Sequence, residues 1–151
     1  MSTQAQAACS VSSTGVAFGT YQPLTFAGKL TSADVLTTGT VSVVCNDIVT
    51  FGSFTIALGP STVSDKGSTT DPRYLANNKG GESMKFNIYI DAGRSVPWTN
   101  MTGQMLAGTV PITVGSVTQD LPIYGKIPGG QNTLKAGSFS GVLTMTMTYS
   151  P

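Results

Sequence analysis

The chain has 151 residues, a net charge of +1 and only 10% charged side chains, which suits one domain and leaves no basic stripe for phosphates and no acidic face for a cationic partner. That excludes nucleic acid as a partner class, and no apolar run approaches the ~20 residues of a spanning helix, so the chain is not read as membrane-embedded. Histidine is absent, which removes the usual general base, the usual metal ligand and every Ser-His or Cys-His nucleophile.

Eighteen glycines and eight prolines among abundant Ser, Thr and Val predict short strands joined by turns, an all-β chain. Residues 1–8 read as a short N-terminal arm ahead of a domain spanning 9–151. Ala5-Gln6-Ala7 has the small-x-small form of a cleavage site, so the start reads as a mature or recombinant one close to a removed signal peptide. Cys9 to Phe18 is the first expected strand, with Ser12-Ser13-Thr14-Gly15 marking a bulge or a switch between sheets. Thr20 to Thr38, punctuated by Pro23 and Gly28, is expected to be mostly loop, and Gly39 to Cys45 is the second strand.

Cys9 and Cys45 are the two cysteines, each beside a Val-rich strand. Free core thiols are one reading and a disulfide is the favoured one; the lack of His and of any Cys-x-x-Cys argues against zinc or redox chemistry. A disulfide closing this loop would stabilise the fold by about 4 kcal/mol in the chain-entropy model. It would also imply an oxidising compartment, and therefore export.

Phe51 to Leu58 alternates through Phe54, Ile56 and Leu58 and stops at Gly59-Pro60, a third strand. Ser61 to Glu82 reads as a mobile polar connection with a short strand around Tyr74-Leu75. Met84 to Ile90 is the clearest strand of the middle region, with Met84, Phe86, Ile88 and Ile90 on its core face. Gly108 to Val114 and Thr118 to Lys126 follow as two strands divided by Gly115-Ser116, and Pro111 and Pro122 put each at an edge or a strand start. After Gly129-Gly130, the last strand runs from Gly141 to Pro151, with Leu143, Met145, Met147 and Tyr149 on one face and threonines on the other. Those four side chains need cover, from earlier in the chain or from another molecule. Strands at this spacing suggest an immunoglobulin-like two-sheet sandwich.

Few residues point to chemistry. The seven carboxylates are scattered singly among turns, so no acid and base pair is visible, and neither Gly-Gly pair precedes a helical pattern that would make a phosphate loop. Met145 and Met147 could be thioether ligands for Cu(I), or flexible lining for an apolar groove. Asp91 and Arg94 before Trp98 could mark a ligand site with an aromatic platform, or a turn held by a local ion pair with Trp98 as a core anchor. No catalytic residue, metal or cofactor is expected.

Five segments in order resemble the spore coat protein U domain, the pilin module of archaic chaperone-usher pili. They are Cys9-Ser10-Val11 with Gly15 to Tyr21; Gly39 to Cys45; Phe86 to Ala92 with Arg94, Pro97 and Trp98; Ile123 to Pro128 with Gln131; and Gly137 to Tyr149. Lys126 stands where the family commonly has Arg. The resemblance implies an incomplete immunoglobulin-like fold that lacks its seventh strand and is completed by a donor strand. The groove would be formed by Leu143, Met145, Met147 and Tyr149 with help from Val16 and Phe18. The implied partners are a periplasmic chaperone, an outer-membrane usher and neighbouring pilin subunits, and the implied product is a surface fibre serving adhesion and biofilm formation. Family shaft subunits carry a donor segment of bulky apolar residues before the first cysteine. Here Met1, Thr3, Ala5 and Ala7 alternate only weakly, so the arm is expected to be a poor donor, either truncated or belonging to a minor or terminal subunit. The alternative reading is a tip adhesin or coat protein whose loops around Tyr74 or Trp98 bind a surface.

Overall fold

The computed structural model describes residues 9–15, 33–131, 133–134 and 138–150. Among them the secondary structure is entirely strand: β1 Cys9–Ser13, β2 Val35–Ile48, β3 Gly52–Leu58, β4 Ser61–Val63, β5 Gly67–Thr69, β6 Arg73–Asn77, β7 Met84–Tyr89, β8 Leu106–Val110, β9 Thr113–Ile127, β10 Phe139–Ser140 and β11 Met145–Ser150. A six-stranded sheet has the order β1-β2-β9-β7-β6-β10, a three-stranded sheet the order β11-β3-β8, and β4 and β5 form a separate hairpin. Every pairing is antiparallel. The architecture is an all-β sandwich of the immunoglobulin-like kind, as composition and turn spacing predict.

Period-2 alternation builds the core. Val41, Val43 and Cys45 of β2, Phe54, Ile56 and Leu58 of β3, Met84, Phe86 and Ile88 of β7 and Ile123 and Ile127 of β9 are all buried. Trp98 fills the space between the sheets, and its indole N–H donates to the Ile56 carbonyl at 2.7 Å. A buried indole needs such a partner, and this one ties Trp98 to the central strand of the smaller sheet.

Several boundaries differ from the sequence expectation. β2 starts at Val35 and not at Gly39, so Val35 to Thr38 are strand and not loop; they pair with β9 from Ile127 to Tyr124. Ser61 to Glu82 holds three short strands where one was expected, and its interior is polar: Arg73 is completely buried. The Arg73 guanidinium donates to the Leu58 carbonyl at 2.9 Å, the Gly59 carbonyl at 3.0 Å and Asn87 Oδ1 at 2.8 Å. Burial pushes its pKa down to about 10. Further along, the break expected at Gly115-Ser116 lies instead at Pro111-Ile112, and β9 runs straight through both residues. Gly115 (φ +83°) sits in a bulge against Asp47 (φ 51°), whose carboxylate accepts its N–H at 2.9 Å. The turn signal is therefore satisfied inside a strand. Pro122 is tolerated in β9 because β7 reaches only as far as the Tyr89–Tyr124 pair, leaving β9 locally an edge at that point.

Candidate functional site

Among the described residues, the two sheets end beside one another without pairing. β1 is the edge of the larger sheet and β11 the edge of the smaller, and among the described residues each pairs on one side only. On β1, Cys9 and Val11 are half-buried, whereas their partners on β2, Cys45 and Val43, are 2% and 1% exposed. On β11, Met145 and Met147 are half-buried, whereas their partners on β3, Leu58 and Ile56, are 3% and 0% exposed. At both margins the core is complete one strand inward and runs out at the edge strand. A cleft of about 160 Å³ lies between the margins, lined by Cys9, Ser10, Val11, Met147 and Tyr149.

Tyr149 closes one end of this cleft. It is 9% exposed, pairs with Phe54, and its hydroxyl donates to the Thr50 carbonyl at 3.4 Å. Leu143, expected on the same strand, stands outside it: β11 begins at Met145, and residues 141–144 cross from β10 in the larger sheet to β11 in the smaller. Leu143 still packs half-buried against the core, and the next residue, Thr144, accepts the Gly59 amide at 2.9 Å. Val16 and Phe18, the other expected groove residues, lie outside the described residues. The larger sheet's share of the cleft comes from Cys9 to Val11.

Cys9 and Cys45 face each other in register and form a disulfide. The bond fastens the cleft-lining strand β1 to β2, the next strand inward, and no free cysteine is found among the described residues. Disulfides persist in oxidising compartments, which indicates export.

The other candidates resolve into structure. Asp91 holds a turn alone: it accepts from the Ser95 hydroxyl at 2.6 Å and from the Val96 amide at 2.9 Å. The Ser95 hydroxyl, followed by the Val96 amide, holds its carboxyl below the usual range. The expected ion pair with Arg94 is not made. Arg94 (φ 55°) turns the other way, donates to the Gly125 carbonyl at 3.0 Å and the Thr37 carbonyl at 2.9 Å, and lies 5.6 Å from the Tyr124 ring. Trp98, 1% exposed, has no face to offer a ligand or a surface. Tyr74 is half-buried with the Lys66 ammonium 5.5 Å from its ring.

Each of the seven carboxylates has a local hydrogen-bond donor. Asp34 accepts from the Gly129 amide, Asp47 from the Gly115 amide, Asp65 from Ser83, Asp71 from Asn87, Glu82 from Thr133, Asp91 from Ser95 and Asp120 from Ser42. Asp34, Asp65 and Glu82 are shifted down like Asp91, chiefly by Gly129, Ser83 and Thr133 respectively. A general acid needs the opposite shift. Among the described residues no group of three His, Cys, Asp or Glu side chains could hold a metal, and no helix is long and apolar enough to cross a membrane.

The Arg73 network was missed in sequence because a charged residue in a polar stretch ordinarily reads as solvated surface. The part played by Ser10 and Val11 was missed because no local pattern says which strand of one sheet faces an edge of the other.

No curated protein matches this sequence. The family model described as Spore Coat Protein U domain matches residues 1–146, nearly the whole chain, and ends just inside β11. The chain belongs to the spore coat protein U domain family, a family of the coat and chaperone-usher pilus type.

Proposed function

We propose that the protein is a structural subunit of an extracellular pilus and that the cleft between β1 and β11 is the seat of a donor strand. Residues 9–151 are the pilin domain and residues 1–8 its arm. A periplasmic chaperone first lends a strand to β11; at the outer-membrane usher the arm of a neighbouring subunit replaces it, and the fibre serves adhesion and biofilm formation. The observation that carries the reading is the matched deficit at the two margins: half-buried Val11 and Met147 each stand beside a partner, Val43 and Ile56, that is fully buried. One added strand supplies what both lack, main-chain hydrogen bonds to a sheet edge and apolar side chains in the gap. The function is mechanical. The absence of histidine and the local engagement of every carboxylate support a protein that does no catalysis.

Fusing an alternating Val/Ile/Leu strand after Pro151 through a short turn tests this directly, because β11 runs to Ser150 and a returning strand would run antiparallel along it. The melting temperature should rise by about 10 °C or more, the effect of a few kcal/mol in a domain of this size. An unchanged melting temperature in a chain that is monomeric and stable without the fusion would show that the cleft needs no strand.

A further inference from the structure

We infer that the two ends of the sandwich form a second contact between copies of this chain, head to tail, in addition to the strand exchange on which the inference rests. Four large apolar side chains crowd one end. Val49 and Phe51 lie in the loop from β2 to β3, Ile112 in the loop from β8 to β9, and Val114 at the start of β9; they are 85%, 58%, 67% and 97% exposed. Because Ile48 pairs with Thr113 and Gly52 with Val110, the two loops cross between the sheets side by side. At the opposite end Val142 and Met101 are 92% and 60% exposed. The Leu58 amide donates to the Thr99 carbonyl and the Gly59 amide to the Thr144 carbonyl, which fastens both segments to the far end of β3. Leu36, near the same end of β2, is the remaining large apolar residue in solvent, so among the described residues the middle of the sandwich exposes none.

The chain path identifies the occupant. β1 starts at Cys9, opposite Cys45 and just short of the end of β2, so whatever precedes Cys9 leaves from the Val49 and Phe51 end. A strand laid antiparallel on β11 leaves the cleft at the Met145 end, beside Thr144 and Val142. If the arm of one copy occupies the cleft of the next, the Phe51 end of the donor is tethered within a few residues of the Val142 end of the recipient. Such a tether makes even a small apolar contact persistent. The contact is heterologous, so it can repeat from copy to copy along a fibre wherever the rotation between copies does not close a ring. The arm also needs the help, since Ala5 and Ala7 bury little apolar area where bulkier donors would bury more. Among the described residues, the side-chain carboxylate near the Phe51 end, Asp47, accepts the Gly115 amide and so is turned towards the backbone.

Photocrosslinking in intact fibres tests the contact. Cells expressing the full chain with its chaperone and usher would carry benzoylphenylalanine in place of Phe51 or, separately, of Met147. Irradiation at position 51 should give a ladder of covalent multimers traced by mass spectrometry to the region of Met101 and Val142 in the next copy. Irradiation at position 147 should give a ladder traced to the neighbour's N-terminal residues. Adding Met101→Ser with Val142→Ser should lower the yield from position 51 several-fold and leave that from position 147 unchanged. A ladder from 147 without one from 51, or a ladder from 51 mapping elsewhere, overturns the end contact and leaves strand exchange standing. A ladder from 51 to the Val142 region with none from 147 supports the end contact and overturns strand exchange; no ladder from either overturns both.

Discussion

Tyr149 packs so closely over Gly52 that a Cβ at position 52 would come within 2.8 Å of its Cε1 and its hydroxyl oxygen, and within 2.7 Å of the Ser150 carbonyl oxygen. The absence of a side chain at one residue of β3 thus decides where the last turn of side chains on β11 can rest. Gly52→Ala should destabilise the protein by about 1–3 kcal/mol, as overpacking in a filled site does. Urea unfolding measures it, and an unchanged midpoint would mean that the end of β11 yields without loss.

Met145→Asp with Met147→Asp should abolish capture by the chaperone and fibre assembly, since two carboxylates would face the apolar seat of an incoming strand. Thr146→Asp and Thr148→Asp lie on the exposed face of β11 and should assemble far more nearly as the parent does. Copurification with the chaperone separates the two cases; equal capture of both would sink the groove reading.

Cys9→Ser with Cys45→Ser should lower stability by about 4 kcal/mol in the chain-entropy model for a loop closed across 36 positions. The loss should be reproduced by a reductant on the parent and be absent when the reductant is added to the double variant. A chaperone-bound preparation should lose less, because an added strand holds the same margin.

Arg73→Lys should destabilise by about 3 kcal/mol even though the charge is kept. One ammonium cannot meet the geometry of two carbonyls on β3's end and Asn87 Oδ1 together, and each acceptor left dry is penalised. Thermal unfolding of this variant beside Lys85→Arg, an exposed control on β7, provides the comparison.

Stability should be flat from about pH 5 to 8, since no side chain here ordinarily titrates in that interval. Asp34, Asp65, Asp91 and Glu82 are all lowered on folding, from ordinary values of 3.8 for the aspartates and 4.5 for Glu82. Groups shifted this way contribute stability that is present above those ordinary values and is lost as the pH falls through the lower folded ones. Melting temperature should therefore decline only below about pH 4.5, and Asp91→Asn should make the decline shallower. A midpoint near pH 6 would contradict this account.

Apolar alternation carried the sequence reading where it was strong. Phe54, Ile56 and Leu58 ahead of Gly59-Pro60 mark β3 almost to the residue, and Met84, Phe86 and Ile88 mark β7. The stretch from 61 to 82 escaped because its strands are three to five residues long and its links are polar. The Ser61 hydroxyl accepts the Tyr74 amide at 2.8 Å, and Asp65 accepts the Ser83 amide at 2.9 Å. Periodicity has no purchase on such a segment. At Gly115 a turn residue was read as a turn although the chain uses its positive φ for a bulge, a choice settled by Asp47 on a strand nearly seventy residues away. The cleft was half legible for the same reason. Alternation placed Met147 and Tyr149 on one face, but the facing margin depends on how two sheets are laid together.

The disulfide also sets the route that tension takes through the molecule. A pull on the chain ahead of Cys9 meets β1 at its first residue, which is where the covalent link to β2 stands. The load passes directly into β2, which lies flush along β9 over almost its whole length and must be sheared, with many hydrogen bonds resisting at once. Without the link the same pull would fall on the β1–β2 pairs alone, from Cys9 to Ser13, far fewer than join β2 to β9. A stretched fibre of such subunits would then be expected to yield between its subunits before any of them begins to unravel.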